Sequence, residues 1–96
     1  MKILWHKKAS NDLENIISYI AKQSPENAVK VLNTLIELSN TLVLFPYKYP
    51  KEPVYNKKNI RFLTKWSYKI IYRIETDKII ILRIFNTNQH PRRISE

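Results

Sequence analysis

NIRFLTKWSYKIIYRIETDKIIILRIF, residues Asn59–Phe85, holds three β-rich runs laid end to end: Ile60–Lys65, Tyr68–Glu75 and Lys78–Phe85. Ile, Tyr, Phe and Trp fill them, the side chains that suit a pleated, half-buried surface. The polar Glu75-Thr76-Asp77-Lys78 separates two runs of similar length and reads as a tight hairpin turn. Asp tolerates left-handed backbone, which matters in a chain without glycine. The stretch is therefore expected to form a β-meander, with one face covered by whatever lies upstream.

Working outward, Lys2–His6 is a short apolar run and a first strand. A helix follows over Lys8–Lys22, where Ala9, Leu13, Ile16, Ile17 and Ile20 recur at helical spacing. Ser24-Pro25-Glu26 then starts a second helix. Ser caps unpaired backbone donors, Pro at the first helical position forfeits no hydrogen bond, and Glu suits the first turn. Its apolar stripe is Ala28, Val31, Leu32, Leu35, Leu38, Leu42 and Phe45, which carries the helix to about Leu44. The short Gln23-Ser24 link makes the two helices an antiparallel hairpin. The expected fold class is α+β with two layers. An N-terminal strand and a helical hairpin pack on one face of a mainly antiparallel sheet, in the order β-α-α-β-β-β.

Ninety-six residues make one domain, spanning 1–96, with 44% hydrophobic residues to build a core. Cysteine is absent, which excludes disulfides and thiolate chemistry and fits a cytoplasmic protein. Glycine is absent too, which excludes a P-loop and a Rossmann fingerprint. No apolar run reaches ~18 residues, so no membrane span is expected. The two histidines are far apart and the acids scattered, so no metal or cofactor site is expected.

The net charge is +9, and its distribution is uneven. Residues 1–50 carry net +2, whereas residues 51–96 carry net +7 and all five arginines. This bias toward the sheet and tail points to an anionic partner. Strand alternation places Lys69, Ile71, Arg73 and Glu75 on one face of their strand, and Tyr68, Ile70, Tyr72 and Ile74 on the helix-facing side. A two-residue turn at Thr76-Asp77 pairs Ile74 with Ile79, Tyr72 with Ile81 and Ile70 with Arg83. Arg83 then faces the helices, with Asp12 as its structural ion-pair partner. Arg61 and Lys65 share a face of the preceding strand. Joined to Lys69 and Arg73, they would make an electropositive open face edged by Lys57 and Lys58, with Arg92 and Arg93 in the tail. Residues 45–58 hold three prolines, three tyrosines and four lysines, and read as a stiff, basic, aromatic loop.

The ordered set Ala9…Asp12-Leu13…Ile16…Tyr19-Ile20, Ser24-Pro25…Ala28, Leu44-Phe45-Pro46, Ile60-Arg61…Leu63, Tyr68-Lys69-Ile70-Ile71-Tyr72-Arg73-Ile74 and Ile79–Phe85 with Pro91 resembles the RelE/ParE superfamily of bacterial type II toxins. The likeness is closer to the ParE-like branch. It implies a plasmid-stabilisation type of growth-arresting toxin, neutralised by a cognate antitoxin protein whose acidic chain wraps it. ParE-like members inhibit DNA gyrase by binding. RelE-like members cleave mRNA in the ribosome with basic side chains on the open sheet face and a functional residue near the C-terminus, often tyrosine. Lys69 falls where that branch places a basic catalytic residue, and Arg61 lies near its basic second strand. No tyrosine follows Tyr72, and Asn86, Asn88 and Gln89 stand where either branch has other residues.

Three functions are thus carried forward. The first is a ParE-like toxin that binds an essential target such as gyrase. The second is a ribosome-dependent endoribonuclease acting on mRNA, with Lys69, Arg61 and His90 as catalytic candidates and Arg73 on phosphate. The third is a basic nucleic-acid-binding module without toxicity.

Overall fold

The computed structural model describes residues 1–88. Six elements follow in order: β1 (Lys2–Trp5), α1 (Lys7–Ala21), α2 (Pro25–Thr41), β2 (Ile60–Lys65), β3 (Tyr68–Ile74) and β4 (Lys78–Asn86). The four strands form one sheet in the order β1-β4-β3-β2. β2–β3 and β3–β4 are antiparallel hairpins, and β1 lies parallel to β4 at the edge. This is the α+β two-layer architecture read from the sequence.

Helix starts are set by local chemistry. The His6 imidazole Nδ1 accepts from the Lys8 N–H at 3.0 Å and caps α1. Ser24 Oγ accepts from the Asn27 N–H at 3.2 Å, with Pro25 in the first turn of α2. The stripes of the two helices then bring Ala9, Leu35 and Leu42 onto Leu63, Ile70, Tyr72, Ile74, Ile79, Ile81 and Ile84 of the sheet. Each such aliphatic side chain contributes about 1.5–3 kcal/mol on burial, so this interlayer contact dominates stability.

Three expectations change here. First, α2 ends at Thr41 rather than near Leu44, and Phe45 leaves the core stripe with 69% of its surface exposed. The Tyr72 hydroxyl donates to the Pro46 carbonyl at 2.7 Å and fixes the chain where Phe45 points outward. Second, the β3–β4 register slips between Ile71 and Tyr72. Ile74↔Ile79 and Tyr72↔Ile81 stand, but Leu82 is an extra residue, so Ile70 meets Ile84 and Arg83 meets Ile71. Third, the left-handed residues are not in the Glu75–Lys78 turn. They are Asn56 (φ 52°) and Trp66 (φ 55°).

Candidate functional site

The expected row of four cations on one open face does not form. Lys65↔Tyr68 flanks a two-residue turn, so Arg61 pairs with Tyr72 and Thr64 with Lys69. Cross-strand partners share a face. Arg61 and Lys65 therefore lie on the side of Tyr72 and Tyr68, and Lys69 and Arg73 on the opposite side. That opposite side is largely apolar: Ile60, Ile71 and Leu82 are buried there, packed by Phe62, Ile80 and Phe85.

Lys69 is also neutralised. Its Nζ lies 3.1 Å from Glu52 Oε1 and 4.4 Å from the Phe62 ring centroid, and only 9% of the residue is exposed. Glu52 itself is fully buried, and its carboxylate also accepts from the Val54 and Tyr55 N–H groups. One acid in a lysine-rich loop thus gathers two backbone donors and one ammonium. The loop closes further through the Asn56 N–H to the Glu52 carbonyl at 2.8 Å, with Asn56 in its left-handed conformation. It is held to β2 by Glu52 N–H to the Ile60 carbonyl and Phe62 N–H to the Pro50 carbonyl.

The remaining cations are distributed. Arg61 donates through Nε to the Lys58 carbonyl at 2.8 Å and through Nη1 to the Tyr49 carbonyl at 3.1 Å, and its guanidinium stacks 5.1 Å from the Tyr47 ring centroid. It is a structural clamp on the 45–58 loop. Arg73 lies 2.9 Å from Glu75, which Lys78 approaches at 3.7 Å. Lys57 and Lys58 are exposed in the loop, and Lys65 is exposed with its ammonium 5.1 Å from the Trp66 ring centroid. His90, Arg92 and Arg93 lie outside the described residues.

Arg83 reaches the helix layer around the free edge of β4. β1 ends at Trp5, with the His6 N–H on the Ile81 carbonyl, so beyond this point α1 borders the strand. Arg83 donates to Asp12 at 2.8 and 3.0 Å, and Asp12 also accepts from the Ile84 N–H at 3.0 Å. The hydrogen bond to Asp12 pushes the Arg83 pKa up, against an opposing effect of burial. Among the described residues, no three acids or histidines converge on a metal position, and no helix is long and apolar enough to cross a membrane.

Sequence reasoning missed Glu52 and Trp66. A lone acid among four lysines was the available signal for the first. The second stood between two strands with only Ser67 beside it to mark a turn.

A helical hairpin packs on a meander with a parallel N-terminal edge strand, and the basic side chains of the meander are divided between its two faces. The chain belongs to the ParE toxin family of type II toxin–antitoxin systems, whose family model matches residues 3–91. It is a member of the RelE/ParE superfamily on the ParE-like side. A solved chromosomal ParDE toxin–antitoxin system from P. aeruginosa is similar at 28% identity and TM-score 0.73, covering 90% of this chain and 95% of that one. The RelBE2 toxin–antitoxin complex of Mycobacterium tuberculosis shares the fold at 18% identity and TM-score 0.52, covering 88% of this chain and 95% of that one. No curated protein matches the chain.

Proposed function

We propose that this toxin arrests growth by binding an essential cytoplasmic target, with DNA gyrase the leading candidate, and that it breaks no bond itself. An acidic antitoxin segment would neutralise it by covering apolar and basic surface. The observation that carries this reading is the state of Lys69. A phosphate-stabilising lysine must be free to meet developing charge, whereas this one is spent on Glu52 beneath a folded loop. The clamp role of Arg61 points the same way. The test is a supercoiling assay with purified gyrase, repeated after adding the product of whichever small acidic reading frame adjoins the gene. Inhibition that the second protein reverses is expected. Codon-dependent cleavage of mRNA on translating ribosomes would overturn the reading.

A further inference from the structure

Among the described residues the chain needs left-handed backbone at two places, and fills them differently. At Asn56 it uses asparagine, the cheapest choice after glycine. At the β2–β3 turn it uses Trp66, a bulky residue for which positive φ is a true outlier. A compositional bias against glycine does not explain this, because asparagine was equally at hand. Strain retained in this way points to a side chain kept for its contacts.

The surroundings say what those contacts are. Trp66 is 53% exposed, with the Lys65 ammonium over its ring. The turn is held in place from the residue that follows β4: the Thr87 N–H and hydroxyl both donate to the Ser67 carbonyl, at 2.8 and 2.9 Å. Next to it, Tyr68 pairs with Asn86 across β3–β4. These two residues line a cleft of about 230 Å³ with Asn15, Ile16 and Tyr19, the last 59% exposed. Among the described residues no carboxylate lines this cleft, and Asp12, one turn earlier on the same helix, is engaged by Arg83. Exposed aromatic faces, amide edges and a cation without a neighbouring acid among the described residues are the components that take an unpaired base and its phosphate.

We propose that this end of the sheet binds single-stranded nucleic acid: Trp66 and Tyr19 stack on bases, Asn15 and Asn86 meet a base edge, and Lys65 meets the phosphate. This site is separate from Lys69 and its face, and does not depend on the toxin's protein target. The test is anisotropy of a labelled short oligothymidylate titrated with the intact protein, alongside the same strand as a duplex. The single strand should bind more tightly and quench tryptophan fluorescence. Trp66→Ala should weaken binding about tenfold, as loss of one stacked base implies. Trp66→Phe should keep most of the affinity but lose the quenching. Tyr47→Ala, an equally exposed aromatic on the other loop, should change neither. Equal affinity of Trp66→Ala and the unaltered chain would reduce the binding to diffuse attraction and overturn the proposal. So would absence of binding, or a preference for duplex. Trp66→Asn keeps the turn conformation accessible, so loss of binding in that variant cannot be blamed on a misfolded hairpin.

Discussion

The Lys69 ammonium lies 3.1 Å from a carboxylate oxygen of Glu52, seventeen residues earlier, and the Glu52 side chain has no exposed surface. The pair fastens the 45–58 loop to the sheet face that would otherwise stand open. Breaking a buried ion pair leaves an uncompensated charge, at a cost of about 3–5 kcal/mol. Lys69→Met should lower unfolding stability by that order in a urea titration. Glu52→Gln/Lys69→Met together should recover part of the loss. If Lys69→Met unfolds at the same denaturant concentration as the unaltered chain, the pair is not what holds the loop.

Tyr72 gives a pH-dependent prediction. Burial, with the nearby Tyr49 phenol, pushes its pKa up, and Arg61 only partly opposes this. The folded state therefore favours the neutral phenol. Its stabilising effect is complete below the ordinary tyrosine pKa of about 10, and declines above it as the unfolded chain ionises. Stability should fall on going from about pH 9 to about pH 11. Tyr72→Phe loses the hydrogen bond to the Pro46 carbonyl, costing about 1 kcal/mol near neutral pH, and should flatten the alkaline decline. Tyr68, also raised by burial, should leave a residual slope. An unchanged slope in Tyr72→Phe would show that another group controls it.

Asp12 serves two partners at once, the Arg83 guanidinium and the Ile84 N–H. Asp12→Ala removes both and should cost roughly 2 kcal/mol, the scale of charge-assisted hydrogen bonds. Asp12→Asn keeps an acceptor for the N–H and should cost less. Hydrogen exchange at the Ile84 amide distinguishes the two roles: it should accelerate in the alanine variant far more than in the asparagine one.

Trp66→Asn should stabilise the fold by about 1 kcal/mol, because asparagine enters the left-handed region more cheaply than a bulky side chain. Thermal unfolding reads this directly. A lower Tm would mean that the indole contributes packing that outweighs its strain.

The fold was legible because its signals are local and repeated. The polar Glu75–Lys78 interruption and period-two alternation placed Ile74 opposite Ile79. Legibility stopped at Leu82, since an extra residue inside Ile79-Ile80-Ile81-Leu82 changes nothing in the apolar pattern. The cationic face was misread for a related reason. Arg61 and Lys69 look equivalent by spacing, but a two-residue turn at Trp66-Ser67 puts Arg61 opposite Tyr72 instead. That turn contains neither glycine, asparagine nor proline, and Ser67 alone is a weak mark of a turn, so the gap between Lys65 and Tyr68 did not declare its hairpin geometry. The pairing of Lys69 with Glu52 depends on a loop folding back across the sheet, which no helical or strand periodicity encodes. The roles assigned to Lys57, Lys58, Arg73 and the tail arginines rest on charge alone.

The parallel edge strand has a consequence for biosynthesis. Lys2 to Trp5 find their partners only at Lys78 to Ile81. Lys2 to Trp5 must therefore stay unmated until Lys78 to Ile81 have been synthesised, and neither strand can be removed without opening the sheet. Such long-range closure is slow relative to the helical hairpin, which can form as soon as it emerges. A nascent chain of this design can close its sheet only after its last strand has been made.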